Sequence, residues 1–527
     1  MPGTASPAER IALRVLQLGA LAVVLVAATY KLFELDRFFI PKELVLHATA
    51  LLAGLCMLGA ARRGIATRVD ALLVGFLALG LVSALLATNP WLAARALAVS
   101  VSGVVIFWCA RGIRRAGLSR PLLIAIAVAV VLTAATSLAQ TYGLETEFFS
   151  INRAPGGTLG NRNFIAHVAA FGLPVLLLVT LRARGSFGFV AGAVGVGAVA
   201  AAVFLTRSRA AWLALAVVFA VLFLGWLLSR PLRRSGGLFA HFVLLLLFLA
   251  AGAAAGFALP NTLHWNSDTP YLETAKSVVN YQEGSGHGRL IQYRNSVRMA
   301  LHHPVFGVGP GNWPVEYPAY ASRHDPSMSG SEPGKTSNPW PSSDWVAFLA
   351  DRGLPAFVLL VLALVSIAVT GVRQLGRAGD EEEALGALAM LGTLAGVVMV
   401  GLFDAALLLA WPTLLVWATL GALWAPELAH GVDTGRGGRV SALLVLTILS
   451  GLAAVHSAGE VGAMAIYSHS HGRTALEKAA RLDPGNYRVQ LRLSRGGNRK
   501  SRCAHASAAH SLFPHAEAAR AAAERCR

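Results

Sequence analysis

The sequence predicts an all-α polytopic membrane protein with about 12–13 transmembrane helices, one large loop outside the membrane and a small helical C-terminal tail. Hydrophobic residues make up 55% of the 527 residues, charged residues only 14%, and the mean hydropathy is +0.58. A soluble domain carries roughly 25% charged residues, so the composition excludes an ordinary soluble protein. Runs of about 20 mostly apolar residues, each long enough to cross a bilayer as a helix, recur along the chain. They start near Ile11, Leu44, Val69, Ala93, Pro121, Phe164, Phe187, Ala210, Leu238, Leu354, Ala384, Pro412 and Val440. The Trp411-Pro412 pair leaves two possibilities for residues 410–424, which are two helices joined by a tight turn or one kinked helix.

Clusters of arginine indicate the orientation of these helices. Lys and Arg concentrate in cytoplasmic loops. Here the clusters occupy alternate loops, on the same side as the N-terminus, which we therefore expect in the cytoplasm. An odd number of spans then puts the C-terminus on the far side, together with the large loop. The clusters are Arg62, Arg63 and Arg68; Arg111, Arg114, Arg115 and Arg120; Arg182 and Arg184; Arg230, Arg233 and Arg234; Arg373 and Arg377; Arg436 and Arg439.

The same arginines explain the net charge of +18. No basic face mixed with aromatic residues accompanies it, so we expect no nucleic-acid partner. The first apolar run, residues 11–30, is too long for the hydrophobic region of a cleaved signal peptide.

Hydropathy divides the chain into four segments. Residues 1–258 form an N-terminal transmembrane bundle, and residues 346–458 form the C-terminal transmembrane helices. Between them, residues 259–345 are the only long polar stretch inside the oily part of the sequence. A loop of this length is usually functional, so we expect it to carry an active site. Residues 459–527 are a polar tail.

The tail resembles tetratricopeptide repeats. Residues 475–494 (ALEKAARLDPGNYRVQLRLS) look like the second helix of such a repeat followed by its Pro turn, and Leu512-Phe513-Pro514 echoes Leu482-Asp483-Pro484. At most two imperfect units are present, and such repeats need neighbours for stability. Cys503 and Cys526 flank an expected helical hairpin. A disulfide between them would compensate for the small core in an oxidising compartment, and two unpaired thiols are the alternative.

Two arginines stand where a membrane helix begins. Arg207 and Arg209 precede an apolar helix from residue 210 to residue 228. Arg207 either extends its charge to the interface or binds substrate. Arg209 would face the bundle or a cavity, and an intramembrane charge is by default a functional candidate. Arg294 and Arg298 lie four residues apart on an expected helix of the large loop, where they bind phosphate or form a solvated face.

The sequence resembles the O-antigen ligase and O-antigen polymerase superfamily of bacterial inner membranes. The resemblance rests on residues 153–166 (RAPGGTLGNRNFIA), 206–212 (TRSRAAW), 304–312 (PVFGVGPGN) after Gly288-Arg289, and 343–355 (SDWVAFLADRGLP). These correspond to the family's GT-x-GN-x-N-x-x-A segment, its SR-x-A helix start, the GR…P-x-x-G-x-G signature of the large loop, and the end of that loop. The order of the motifs, more than any one of them, is specific.

The resemblance implies transfer of a glycan from an undecaprenyl pyrophosphate carrier to a hydroxyl acceptor, such as another glycan or lipid A core. It makes the large loop and the tail periplasmic, and the tail is expected to recruit polysaccharide-assembly proteins. Arg289 and Arg209 would clamp the leaving pyrophosphate, because guanidinium stays charged and presents a bidentate fork to phosphate oxygens. No D-x-D cation site occurs, so no metal and no cofactor are expected. The remaining substrate-binding candidates are Arg207, Arg153, Asn163, Arg294 and His287.

The general base is where the sequence departs from the family. The usual His aligns with Ser342 and the usual Asn with Ser343, and a serine alone is no base. Asp344 is the nearest carboxylate, so we assign it the catalytic role of accepting the hydroxyl proton. The alternative is that Ser343 caps a helix and Asp344 only stabilises its first turn. Ligase and polymerase are not separated by the sequence, and a lipid-linked sugar transporter or a non-catalytic relative remain alternative functions.

Overall fold

The structure is a computed structural model, and it describes residues 5–60, 67–276, 284–322, 324–425, 436–470 and 472–527. Within these residues the secondary structure is α-helical and 3-10 helical, with no β-strand, so the all-α polytopic fold is confirmed. The long helices are α1 (Pro7–Leu25), α2 (Asp36–Ala60), α3 (Arg68–Leu85), α4 (Pro90–Arg115), α5 (Ser119–Thr141), α6 (Arg162–Leu181), α7 (Ser186–Thr206), α8 (Arg209–Leu228), α10 (Gly236–Ala258), α14 (Asp344–Arg377), α15 (Glu381–Phe403), α16 (Ala410–Leu423) and α17 (Arg436–His469). The shorter ones are α9 (Arg230–Arg234), α11 (Pro270–Lys276), α12 (Gly284–His302), α13 (Trp313–Glu316), α18 (Arg473–Leu482), α19 (Tyr487–Leu493), α20 (Arg499–Leu512) and α21 (Glu517–Glu524).

Each of the predicted apolar runs is a helix. In the described residues, 11 helices are long and apolar enough to cross a membrane. Helix α1, with 19 residues, is long enough but carries Glu9, Arg10 and Arg14, and α16 has only 14 residues. The Trp411-Pro412 pair is neither a turn nor a kink. It lies in the first turn of α16, where a proline removes no hydrogen bond from the helix.

The centre of the bundle is buried, whereas the apolar side chains of an outer helix are exposed and would contact lipid. Every residue of α16 is buried, and α6 packs against α5, α7, α8 and α15. At the rim, α10 buries only Leu238, Leu245 and Gly256, so its other apolar side chains would face acyl chains. Helix α10 reaches the bundle through a contact of small residues, since a Cβ on Gly252 would lie 2.0 Å from the carbonyl oxygen of Gly197. Such close backbone approach is how membrane helices associate without a hydrophobic driving force.

The two ends of the bundle differ in chemistry. At one end, where α4, α6, α8 and α14 finish, the arginines satisfy helix carbonyls and carboxylates. Arg120 donates to the carbonyl oxygen of Arg182, and Arg182 pairs with Glu382. Arg62 and Arg63, which belong to the same predicted clusters, lie outside the described residues. At the other end lies the polar segment 259–343, so arginine-rich loops and the large loop are on opposite sides, as the alternation requires.

A glycine turn fixes the large loop onto α14. The helix breaks at Gly353, whose φ is 77°, and residues 304–312 pack into the break. Val308 and Gly309 donate their N–H groups to the carbonyl oxygens of Ala350 and Asp351. Gly307 has a φ of 64°, and a Cβ there would lie 2.4 Å from the carbonyl carbon of Asp351, so glycine is required. The glycines therefore serve the docking of the loop on a helix.

The tail is a set of short helices that packs back onto the bundle. Helix α17 continues past the predicted boundary at residue 459 to His469, and α18 to α21 follow it. The structure has a disulfide between Cys503 and Cys526, the pair singled out from the sequence. Asn89, before α4, donates to the carbonyl oxygen of Leu512 in the tail. Glu517 in turn donates its N–H to the carbonyl oxygen of Pro333 in the large loop. The similarity of these helices to tetratricopeptide repeats stays a prediction.

Candidate active site

The corner between α7 and α8 positions two arginines. Helix α7 ends at Thr206 and α8 begins at Arg209, with Ser208 in extended conformation before it. Arg207 closes α7 in the left-handed conformation, with φ 55° and ψ 29°, and among the described residues it alone has a positive φ without being glycine. That conformation costs a non-glycine residue about 1–2 kcal/mol. Backbone strain of this kind is concentrated at functional sites, so the corner between α7 and α8 is a candidate functional site.

Arg207 and Arg162 share one aromatic ring. The guanidinium carbons of Arg162 and Arg207 lie 4.8 Å and 4.7 Å from the ring centre of Trp265. Arg207 also donates from Nε to Thr274 Oγ1 at 2.9 Å, so its side chain is held against α11 of the large loop. We call Arg162, Arg207 and Trp265 the Trp265 group. Arg162 was not among the candidates from the sequence, although it lies inside the quoted motif as the central residue of Asn161-Arg162-Asn163.

The Trp265 group concentrates positive charge. Arg153 and Arg207 are both close enough for their charges to act on Arg162, and no carboxylate in the described part of the chain forms an ion pair with Arg162 or Arg207. Burial raises the pKa of Tyr271, which stacks on Phe204 beside them, so its hydroxyl stays neutral. An unbalanced pair of guanidinium groups on an indole is suited to an anion with several oxygens.

The remaining candidates of the first motif shape the approach to this group. Arg153 is exposed, and its carbonyl oxygen accepts the N–H of Arg162, which closes the loop before α6. Asn163 is half-buried, and its N–H donates to Oδ1 of Asn161, the cap of α6. Arg209 is the first residue of α8 and is half-buried. All of these residues lie at the same end of the bundle.

Helix α12 brings Arg289 over the bundle. Arg289 is half-buried and close enough for its charge to act on His167 in α6. One turn further along, the hydroxyl of Tyr293 lies 2.8 Å from the carbonyl oxygen of Leu402 at the end of α15, which anchors α12 there. His287 and Arg294 are exposed on α12, and no contact in the described residues joins either of them to the Trp265 group.

Asp344 is engaged by the backbone. Its side chain is buried, and its two carboxylate oxygens accept the N–H groups of Ala406 and Leu407 at 2.9 Å and 2.8 Å. Ser343 is the cap of α14, accepting from the N–H of Val346. The carboxylate of Asp344 thus holds the segment between α15 and α16 in place. Because it is buried, an acceptor hydroxyl cannot reach it. This geometry favours the structural alternative over the catalytic role that the sequence suggested.

A histidine and an aspartate that the sequence analysis missed meet nearby. His167 Nε2 lies 3.9 Å from Asp404 Oδ2, and the histidine side chain is 1% exposed against 15% for the aspartate. Neither ring nitrogen of His167 has a hydrogen-bond partner in the described residues. Asp404 follows α15 directly, and its Oδ1 accepts the N–H of Ala405. The signals available in the sequence were one histidine in the apolar α6 and one aspartate in the apolar stretch LFDAALLLA.

Fold and site together define a polytopic α-helical membrane protein with a cluster of arginines at one end of its bundle. Residues 194–361, about a third of the chain, match the family model described as O-Antigen ligase. This segment confirms the resemblance to the O-antigen ligase and polymerase superfamily and supports glycan transfer of that general type. It contains Arg207, Arg209, Arg289 and Asp344. No curated protein matches the chain.

Proposed function

We propose that this protein transfers a glycan from an undecaprenyl pyrophosphate carrier to a hydroxyl acceptor at the periplasmic face of the bacterial inner membrane, as an O-antigen ligase or a polysaccharide polymerase. One observation carries the proposal: Arg162 and Arg207 face one indole, no carboxylate of the described residues pairs with them, and Arg289 approaches α6 at the same end of the bundle. The pyrophosphate of a lipid carrier would place its oxygens at this end of the bundle. In this orientation the N-terminus is cytoplasmic, and the large loop and tail are periplasmic.

The arginines supply the stabilisation that the reaction needs. The acceptor oxygen bonds to the anomeric carbon of the glycan while the bond from that carbon to the pyrophosphate oxygen breaks. The departing undecaprenyl pyrophosphate keeps the electron pair, and its growing negative charge is met by Arg162, Arg207 and Arg289, with Arg209 beside them. Preorganised charges that face the leaving group lower the barrier because they need no rearrangement during the reaction, so the proposal requires no metal.

The proton of the acceptor hydroxyl goes to the His167–Asp404 pair in this proposal. Neither ring nitrogen of His167 accepts or donates a hydrogen bond within the described part of the chain, and a carboxylate at 3.9 Å would stabilise the protonated ring. Asp404 is the more exposed member of the pair. The pair would replace the loop histidine whose place is taken by Ser342. We treat the two residues as one titrating unit, since neighbouring groups share their protons.

Reconstitution tests the proposal. The purified protein in lipid vesicles is given an undecaprenyl pyrophosphate-linked oligosaccharide with either lipid A core or a second lipid-linked chain, and products are resolved by gel and mass spectrometry. A glycan on lipid A core means ligase, and a lengthened lipid-linked chain means polymerase. Transfer should persist in a metal chelator. Movement of donor across the membrane without bond formation would support a transporter and contradict the proposal.

Matched variants connect the reaction to the site. Arg207→Ala and Arg289→Ala should each slow transfer about 10²–10³-fold, the usual loss on removing one transition-state donor. Arg373→Ala removes an exposed arginine at the opposite end of α14 and should leave transfer unchanged. Equal rates in all three variants would mean that the arginine site is not where the pyrophosphate leaves.

A further inference from the structure

A second site lies between the bundle, the large loop and the tail. A cavity of about 500 Å³ opens there. Its walls come from parts of the chain that are distant in sequence, among them the start of α2, the start of α4, segment 329–339 of the large loop, α17 and the region around α19. The tail therefore completes a cavity, a role additional to the recruitment of assembly proteins that the sequence suggests.

Aromatic rings form part of the cavity wall. Trp91, at the start of α4, is 39% exposed and stacks on His456 with ring centres 5.8 Å apart. Gly485 of the tail packs on the same indole, since a Cβ there would lie 2.5 Å from Trp91 Cβ. Tyr487 and Phe513 stand in edge-to-face contact at 5.1 Å and hold Lys335 of the large loop above them. Flat apolar rings beside polar groups suit the faces of sugar rings.

Beside the same wall, one arginine lies close to three carboxylates. Arg95 makes a bidentate pair with Glu43, with distances of 2.7 Å and 2.9 Å, and lies 3.4 Å from Asp36 and 4.0 Å from Glu460. Glu460 is 5% exposed, lines the cavity, and its Oε2 has no hydrogen-bond partner in the described residues. A buried carboxylate oxygen without a donor is costly, so this atom indicates a ligand that donates hydrogen bonds.

The cavity also adjoins the Trp265 group. Arg153 lines the cavity and is close enough for its charge to act on Arg162. A chain held in the cavity therefore has a route to the point where the pyrophosphate would leave.

We propose that this cavity binds the acceptor glycan, a hydroxyl-rich sugar chain, with Trp91 stacking on a ring and Glu460 accepting from its hydroxyl groups. The inference rests on the proposed function, since it assigns the acceptor side of that reaction. The tail then acts in substrate binding: α19 and its neighbours close the acceptor site over the bundle.

The experiment uses the full chain in lipid nanodiscs. Acceptor binding is measured directly, and the KM for the acceptor is measured during turnover. The probes are the oligosaccharide of lipid A core and a free oligosaccharide of the O-antigen repeat type, titrated by calorimetry. Glu460→Gln and Trp91→Ala should each weaken binding of one probe about tenfold, with Trp91→Phe keeping most of the affinity. In turnover, KM for the acceptor should rise while KM for the donor and kcat stay within a few-fold. Glu381→Gln, an exposed carboxylate at the start of α15, is the control.

The outcomes separate the two proposals. Failure of the wild-type protein to bind either probe, or unchanged affinity in Glu460→Gln and Trp91→Ala, would overturn the acceptor site. Binding that is lost in Glu460→Gln without any transfer by the wild-type protein would overturn the proposed function and leave the glycan site standing. A rise in donor KM alone would show that the cavity serves the donor, which also refutes the inference.

Discussion

Replacing Asp344 by asparagine distinguishes its two possible roles. If Asp344 is the general base, Asp344→Asn should slow transfer about 10²–10⁴-fold while the fold stays intact. If it braces the segment between α15 and α16, stability should fall and the folded protein should keep its rate within a few-fold. The structure favours the second result, because both carboxylate oxygens accept backbone N–H groups.

The loss of stability follows from those two hydrogen bonds. An asparagine keeps one acceptor oxygen and puts an NH₂ group against the second backbone N–H. Losing one charge-assisted bond costs about 2 kcal/mol, and replacing the other by a neutral bond costs about 1 kcal/mol. We therefore expect Asp344→Asn to destabilise the protein by roughly 3 kcal/mol.

The assay pairs thermal unfolding with turnover in the same vesicles. Asp344→Asn should lower Tm by several degrees, whereas Asp268→Asn, on an exposed part of the large loop, should not. His167→Gln should show the reverse pattern, with an unchanged Tm and transfer slowed about 10²–10⁴-fold. An Asp344→Asn protein that is fully stable and inactive would refute the bracing role and return Asp344 to the position of base.

Three further predictions concern stability. Arg207→Gly should be about 1 kcal/mol more stable than Arg207→Ala, because glycine adopts the left-handed conformation freely. Both variants should lose transfer equally. Equal stability of the two variants in thermal unfolding would show that the backbone of residue 207 holds no strain. Cys503→Ser removes a disulfide with a sequence separation of 23 and should destabilise the tail by about 3 kcal/mol. The measurement is the rate of proteolysis after α17 under oxidising conditions, which should increase. An unchanged rate would contradict the prediction. Gly307→Ala should separate the large loop from α14 and lower the yield of folded protein, while Gly330→Ala, with open space around it, serves as the control.

The topology could be predicted from the sequence because the bilayer imposes a local rule. A crossing helix needs about 20 apolar residues in a row, and that requirement is met or failed within one stretch of chain. The apolar runs from Ile11 to Val440 were found in this way. Arg207 and Arg209 could be named as candidates for the same reason, since they stand at a local boundary between polar and apolar residues, whereas Arg289 was named from the resemblance of its motif to the family signature.

The composition of the site needed the tertiary structure. Arg162 and Arg207 meet on Trp265 only because the start of α6, the corner between α7 and α8, and the large loop lie side by side. His167 in α6 and Asp404 after α15 are far apart in sequence, and nothing local to either residue indicates that they lie 3.9 Å apart. Asp344 looked like a base next to a missing histidine, yet its role depends on backbone N–H groups of a segment that follows another helix.

The sequence by itself determined that this is a polytopic α-helical membrane protein with arginines at one end, since hydropathy and charge act along the chain. Only the tertiary structure decided which residues share a site and that the tail closes a cavity with the large loop. The physical reason is that hydrogen bonds, ion pairs and ring stacking act over a few ångströms between residues that the chain order separates. Such contacts follow from helix packing, which the pattern of apolar residues specifies only in part.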